Sequence, residues 1–309
     1  MPDSLLRAVG DQLSGPLIVQ LGPDIDATTE ALLTARGVET TRSSSSALVT
    51  VTGDAAAVPA GTRWVHTPSM GVDRLLAPGW DSTRLLTRTV GDMPRRIASY
   101  TSAVLMAERW QLARYVRDQA GGRWAPAMDP APLAPERCLV IGVGEVGQAI
   151  AHRLVREGHD VTGTSLSGRP VQGVPTVVPF ADLPKHLDVS VLVIALPSTS
   201  STEAIIDDSF IGRLVGAHLV NVGRGATVDA DAVLRGLDTG HLRHATLDVL
   251  SQEPPPHASP LWSHPRVVIT PHIAGRTAPL DTVTSLMGAW VALRDGNRPS
   301  TLVDPVLGY

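Results

Sequence analysis

Between residues 138 and 270 the chain repeats one alternation: a short apolar run, a turn, then a stretch with apolar residues along one helical face. The runs are CLVIG (138–142), DVTGT (160–164), SVLVIAL (190–196), AHLVNV (217–222), HATLDV (244–249) and RVVIT (266–270). Short apolar runs bounded by turn residues read as strands, and a near-continuous one such as SVLVIAL suits a strand buried on both faces. After the first run, EVGQAIAHRLVREG places Val146, Ile150 and Leu154 on one side and ends at Gly158. Further on, Ala230, Val233, Leu234 and Leu237 recur at i, i+3, i+4 and i+7, closed by Gly240. That spacing predicts a helix with glycine just past its last turn. Strands and helices in such alternation predict a doubly wound parallel sheet.

Before residue 95 the same logic is less regular. PLIVQL (16–21), ALVTVTG (47–53) and TRWVHTPS (62–69) alternate with turn clusters and a helical stretch at 26–36, predicting a small α/β domain with a parallel sheet. The serine run 43–46 reads as a loop. From Met93 to Gln119 the pattern is helical, with Pro94 near the start, and GGRWAPAMDPAPLAPER (121–137) reads as a connector into a second domain. A final helix, about 277–294, follows the last strand and is expected to pack back on the first domain.

Bulk properties narrow the function classes. A chain of 309 residues is long for one core, which favours two domains. A net charge of −4 supplies no electrostatic reason to expect nucleic acid or an anionic membrane as partner. Cys138, the single cysteine, excludes an internal disulfide and fits a reducing compartment; inside an apolar run it reads as a buried, inert thiol. MPDSLLRAVGDQ lacks the features of a signal peptide and no run approaches membrane-spanning length, so a cytoplasmic location is expected.

LVIGVGEVGQAI contains Gly142-x-Gly144-x-x-Gly147 between a strand and an amphipathic helix. In that context the pattern points to a dinucleotide. A tight turn forms at Gly142, backbone approaches pyrophosphate at Gly144, Gly147 lets the helix pack on the sheet, and the helix N-terminus favours the anion. The end of the next strand usually offers a carboxylate to the adenosine ribose. Here TSLSGR (164–169) offers Ser165, Ser167 and Arg169 instead. An acid would repel a 2′-phosphate, whereas hydroxyls and a guanidinium favour one, so the stretch points to NADP(H) in preference to NAD(H). The competing reading makes Arg169 a solvated turn residue.

Three polar stretches follow strands on the C-terminal side. NVGRGATVD (221–229) carries Arg224 between glycines, LDVLSQEPPP (247–256) carries Asp248 and Glu253, and VVITPHIAGRT (267–277) carries His272. Ligands of open α/β sheets bind at the carboxyl ends of strands. Taken singly, each residue has a structural alternative. Together they supply what reduction of a 2-oxo acid needs: a guanidinium for the carboxylate, and an imidazole beside a carboxylate that favours its protonated form, as proton donor to the forming alkoxide. No Cys/His spacing suggests zinc.

In order and spacing, the glycine fingerprint, ALPSTSSTEAII, NVGRGATVDADAVLRGLDTG, ATLDVLSQEPPP and SPLWSHPRVVITPHIAG resemble the D-isomer-specific 2-hydroxyacid dehydrogenase family. The resemblance runs from about 138 to 278. Before residue 95 only WVHTPSMGVD (64–73) is similar, to the family's substrate loop. That loop and the LW-x-HP-x-V-x-ITPH ending are most similar to the glyoxylate/hydroxypyruvate reductase branch. The resemblance implies two Rossmann-like domains with the active site in the cleft between them. Residues 1–92 with 278–309 would form the substrate domain and 93–277 the dinucleotide-binding domain. It further implies an NADP(H)- or NAD(H)-dependent reductase of a small 2-oxo acid, usually a homodimer, with the 93–119 helix near the dimer interface. Arg224 would bind the substrate carboxylate and polarise its carbonyl, His272 would be the general acid and also contact substrate, and Glu253 would hold and charge it. Amides of Met70 and Gly71 would help cradle the carboxylate. The cofactor would lie against Gly142, Gly144, Glu145, Val146, Gly147, Ser165, Ser167, Arg169, Leu196, Pro197, Thr202, Val222, Gly223 and Asp248, the last meeting the nicotinamide carboxamide.

Two departures stand out. Ser99-Tyr100 replaces an acidic residue followed by a ring, and Ser165 replaces the ribose-binding acid. Trp64, Trp80 and Tyr100 are candidates for lining the pocket, with core packing as the alternative. A rival of another class is a dinucleotide-sensing, corepressor-like protein of the same fold, against which the full Arg224, Glu253 and His272 set counts. Formate dehydrogenases of this superfamily carry an amide at the Glu253 position, and phosphite oxidisers carry a lysine in the substrate loop. This chain has neither feature.

Overall fold

The computed structural model describes residues 3–13, 15–43, 47–76, 80–126 and 135–308. Positions 44–46 of the serine run and 127–134 of the connector lie outside the described residues. The chain divides into two compact units, Met1–Met93 with Thr277–Tyr309, and Pro94–Arg276.

The smaller unit contains α1 (Asp3–Gly10), β1 (Ile18–Leu21), α2 (Ala27–Thr34), β2 (Glu39–Thr41), β3 (Val49–Val51), β4 (Trp64–Thr67), β5 (Leu85–Arg88) and a closing helix, Pro279–Arg294. Its five strands are parallel, in the order β2-β1-β3-β4-β5. α2 starts at Asp26, whose carboxylate accepts the Thr29 N–H at 2.7 Å and satisfies one of the helix's unpaired donors. Val19, Val49, Trp64 and Leu85 from the strands form one core with Val283, Leu286, Ala289 and Leu293 of the closing helix. α1, β2 and β5 carry no strong sequence signal. The two edge strands are β2, which reads Glu-Thr-Thr with no apolar residue, and β5, which reads Leu-Leu-Thr-Arg with only two.

A buried polar chain runs through β4 and the β5 end. Trp64 Nε1 donates to Thr87 Oγ1 at 2.8 Å. His66, fully buried, has Nδ1 2.8 Å from the same hydroxyl and Nε2 3.2 Å from Thr89 Oγ1. Thr89 gives its hydroxyl proton to the Thr67 carbonyl, so Nε2 must be the protonated nitrogen and Nδ1 accepts from Thr87. This is the arrangement of the neutral ring. Burial pushes its pKa down to about 3, against a smaller opposing effect of the Thr282 backbone.

The larger unit begins with α3 (Met93–Arg109) and α4 (Leu112–Ala120). One continuous helix to Gln119 is thus corrected to two: Gln111 adopts φ 53 and its carbonyl accepts the Arg114 and Tyr115 N–H groups of the new turn. A single left-handed residue barely disturbs apolar spacing, so periodicity does not register it. There follow β6 (Arg137–Ile141), α5 (Glu145–Arg156), β7 (Asp160–Ser165), β8 (Thr176–Pro179), β9 (Val191–Ile194), α6 (Asp208–Ile211), β10 (Ala217–Asn221), α7 (Ala230–Thr239), β11 (Leu242–Leu247) and β12 (Val267–Ile269). The sheet is parallel throughout, ordered β12-β11-β10-β9-β6-β7-β8. Chain direction across the sheet reverses between β6 and β9, the switch point at which open α/β sheets bind ligands. Leu139, Ile141, Leu192, Ile194 and Leu219 are fully buried, each worth about 1.5–3 kcal/mol. These two parallel, helix-covered sheets are the α/β architecture of two Rossmann-like units that the motif order predicts.

Candidate active site

The glycine turn sits at the β6 end of the switch point. Gly142 and Val143 both donate to the Thr164 carbonyl, at 3.1 and 2.9 Å, which ties the turn to β7. Gly142 has φ +93, and a Cβ on Gly147 would fall on the Gly142 carbonyl oxygen, so the first turn of α5 packs directly on the glycine turn. Gly144 is the N-cap of α5, makes no side-chain cap, and has open space where a Cβ would stand. Nothing of the glycine turn itself therefore obstructs the amide end of α5, where Glu145 and Val146 begin the helix. This cradle fits a pyrophosphate.

Other predicted cofactor residues occupy the neighbouring strand ends. At the end of β7, Ser165 Oγ accepts the Gly168 N–H at 3.0 Å and Ser167 Oγ accepts the Arg169 N–H at 3.4 Å. Arg169 is exposed, as is Leu166 between the serines. Beyond β9, Leu196 and Pro197 are half-buried, and Thr202 Oγ1 donates to the Pro197 carbonyl at 2.7 Å. Val222 and Gly223 are buried just past β10.

Arg224 lies in that β10 loop with extended backbone (φ −137, ψ 140). Its carbonyl accepts from Asn221 Nδ2 at 3.1 Å and Thr227 Oγ1 at 2.6 Å, while its own guanidinium donates to the Gly223 carbonyl at 2.8 Å. The next residue, Gly225, presses on the backbone of Leu250 and Ser251 so closely that a Cβ would overlap it. Leu250 in turn gives its N–H to Glu253 Oε1 at 3.0 Å, and Glu253 Oε2 stands 2.9 Å from His272 Nδ1. The three polar stretches therefore converge through backbone contact. His272 and Glu253 side chains remain 50% and 30% exposed, accessible to a small ligand.

Asp248 is the organiser of the His272 turn. Its carboxylate, only 3% exposed, accepts from Thr270 Oγ1 (2.5 Å), Ile273 N–H (3.0 Å) and Ala274 N–H (3.0 Å), and its carbonyl accepts the His272 N–H at 2.9 Å. His272 itself has φ 52, a left-handed conformation that costs a non-glycine residue free energy and persists only where surrounding contacts offset that cost. Each carboxylate oxygen has two acceptor positions, so Oδ2 retains one beyond Ala274. Asn221, Thr227 and Thr270 are site-supporting residues missed from sequence. Their only signal is position, next to strand ends that also carry charged residues.

Met70 and Gly71 lie in the smaller unit, half-buried after β4, with the Met70 carbonyl 3.5 Å from Arg88 Nη1. Trp64 belongs to that unit's core, and Trp80 packs beside Val65 and Val72. Tyr100, on α3, places its hydroxyl 2.6 Å from Thr270 Oγ1. Among the described residues no group of three or more His, Cys, Asp or Glu side chains could hold a metal ion, and no helix is long and apolar enough to cross a membrane.

A Rossmann sheet with a glycine cradle at its switch point defines a dinucleotide-binding α/β protein. Residues 102–274 match the family model described as D-isomer specific 2-hydroxyacid dehydrogenase, NAD binding domain. The chain belongs to that family. It is 37% identical to an uncharacterized protein of Streptomyces coelicolor over 80% of this chain and 89% of the relative. It is 33% identical to glyoxylate/hydroxypyruvate reductase A of Serratia proteamaculans, over 70% of each. A D-isomer specific 2-hydroxyacid dehydrogenase from Xanthobacter autotrophicus Py2, solved with NADPH and MES, superposes with TM-score 0.85 at 27% identity, covering 96% of this chain and 100% of that one. An NADPH-dependent glyoxylate/hydroxypyruvate reductase from Sinorhizobium meliloti, solved with NADP and sulfate, gives TM-score 0.81 at 25% identity with the same coverage. The protein is an oxidoreductase that uses a nicotinamide dinucleotide on small hydroxy or oxo acids.

Proposed function

We propose that the protein reduces a small 2-oxo acid of the glyoxylate or hydroxypyruvate type, with NADPH as the preferred cofactor, and yields the D-hydroxy acid where C2 is chiral. The observation that carries this reading is the His272 Nδ1 to Glu253 Oε2 contact at 2.9 Å, on the carboxyl side of a dinucleotide-binding sheet whose β10 loop carries Arg224. A bound nicotinamide cofactor supplies the hydride. Arg224 clasps the substrate carboxylate and draws charge toward the carbonyl oxygen. With Nδ1 engaged by Glu253, His272 Nε2 is the atom that gives its proton to the forming alkoxide, leaving a neutral imidazole; in oxidation it takes the proton back. Glu253, fixed by the Leu250 amide, orients the ring and neutralises its positive form. Met70 and Gly71 amides are assigned to the substrate carboxylate, and Asp248 Oδ2 to the nicotinamide carboxamide.

The cofactor preference rests on Ser165, Ser167 and Arg169 in place of a ribose-binding acid, and on the NADPH and NADP carried by the two solved relatives. The test is kcat/KM for glyoxylate and hydroxypyruvate with each cofactor. Turnover is expected with NADPH ahead of NADH, and absence of turnover with every short 2-oxo acid would sink the reading. Arg169→Ala is expected to raise KM for NADPH about tenfold and leave KM for NADH alone, the loss of one charge-assisted contact to a phosphate. An unchanged NADPH/NADH ratio would make Arg169 a turn residue only.

We also assign a homodimer to the functional protein. Met106, Trp110, Leu112 and Val116 leave an exposed apolar surface along α3 and α4. Light scattering is expected to give twice the 32.6 kDa chain mass, and a monomer at micromolar concentration would contradict the assignment.

A further inference from the structure

The His272 turn is connected to α3 by a chain of hydroxyl groups. Thr270 Oγ1 lies 2.5 Å from Asp248 Oδ1 and 2.6 Å from the Tyr100 hydroxyl. A threonine hydroxyl has one proton, and a buried carboxylate can only accept, so that proton belongs to Asp248. Tyr100 must then donate to Thr270. The chain has one direction: Tyr100 O–H to Thr270 Oγ1, Thr270 O–H to Asp248. Burial is the main cause of a Tyr100 pKa pushed up to about 12, so the phenol stays a donor at any working pH.

Asp248 Oδ1, which takes the Thr270 proton, also accepts the Ile273 N–H; Oδ2 accepts the Ala274 N–H, and the Asp248 carbonyl accepts the His272 N–H. Those bonds, with the His272 N–H to Thr270 carbonyl contact at 2.9 Å, bracket the residue that takes the left-handed backbone. We propose that Tyr100, acting through Thr270 and Asp248, is a positioning residue that fixes the His272 ring for proton transfer. The proposal rests on the reading of His272 as proton donor. It takes Ser99-Tyr100, which the sequence marks only as a departure from the family pattern, and assigns its ring hydroxyl to the catalytic turn.

Tyr100→Phe removes one oxygen and keeps the ring. Expected are a tenfold or greater fall in kcat for 2-oxo acid reduction, KM for both substrates within twofold, and at least tenfold faster hydrogen exchange at the Ile273 and Ala274 amides. Thr270→Val should reproduce both effects, Thr270→Ser should restore them to near the parent, and the Tyr100→Phe/Thr270→Val double variant should be no worse than Thr270→Val alone. Parent-like kcat and amide exchange in Tyr100→Phe would overturn the proposal, as would additive losses in the double variant. The exchange measurement needs no turnover. If the parent reduces no 2-oxo acid but Tyr100→Phe loosens the turn, the proton-donor reading fails while the positioning chain stands; if the parent turns over and the turn is unmoved, the chain is wrong.

Discussion

His272→Asn is expected to lower kcat by about a thousandfold while NADPH affinity stays within about threefold, because general acid catalysis is worth roughly 10²–10⁴. Asparagine is the informative replacement. It tolerates positive φ better than most residues, so the turn held at φ 52 by Asp248 keeps its backbone bonds. An amide cannot deliver a proton to an alkoxide. Glu253→Gln is expected to cost less, about ten- to a hundredfold, since the amide oxygen can still orient Nδ1 but no longer balances a charged ring. Stopped-flow reduction with NADPH and fluorescence titration of the cofactor separate the two quantities. Wild-type turnover in His272→Asn would remove the histidine from the mechanism. Loss of cofactor binding along with turnover would mean that the substitution had collapsed the turn.

The second large effect is acid lability of both units at a pH where carboxylates are still ionised. His66 in the smaller unit is neutral and fully buried, with its pKa pushed down to about 3, whereas an unfolded histidine protonates near 6.5. Its contribution is fully present above pH 6.5. Below that the unfolded chain binds a proton that the folded chain refuses, at about 1.4 kcal/mol per pH unit, or about 2 kcal/mol by pH 5. His218 in the larger unit behaves alike: burial first, then His244 and Arg243, hold its pKa well below the ordinary value. Its ring stacks edge-on against His244 at 4.9 Å and meets Thr246 at 2.9 Å. The carboxylates with lowered values, Asp81, Asp118, Asp182, Asp208 and Asp304, lose their contribution only below the normal carboxylate range and do not act in this window. Urea midpoints should therefore drop markedly between pH 7.5 and 5.0. Equal midpoints at the two values would show that neither ring is held neutral.

Much of the larger unit is legible in sequence because its signals are local. CLVIG and SVLVIAL are apolar on both faces because helices cover both sides of a parallel sheet, and both fall on strands, as does AHLVNV with its buried His218 and Asn221. Asp229 and Gly240 mark the ends of α7, where the first accepts the Asp231 and Ala232 N–H groups and the second takes φ 83. The smaller unit was less legible. Its strands are three or four residues long, one of its two edge strands is polar, and its core is completed by a helix from the far end of the chain. No window of sequence contains that partnership.

The same division runs through the site. Residue types and order along the chain make the glycine turn, Arg224, Glu253 and His272 candidates, since each chemistry needs a particular side chain after a particular strand. Tertiary structure alone decided how they meet. Gly225 backs onto Leu250, Leu250 holds Glu253, Glu253 holds His272, and Asp248 joins the turn to Thr270 and Tyr100. These contacts link residues up to 170 positions apart. A hydrogen bond is decided by tenths of an ångström and by which proton is already committed. Hydrophobic periodicity says which face of an element is buried, and it is silent on both of those.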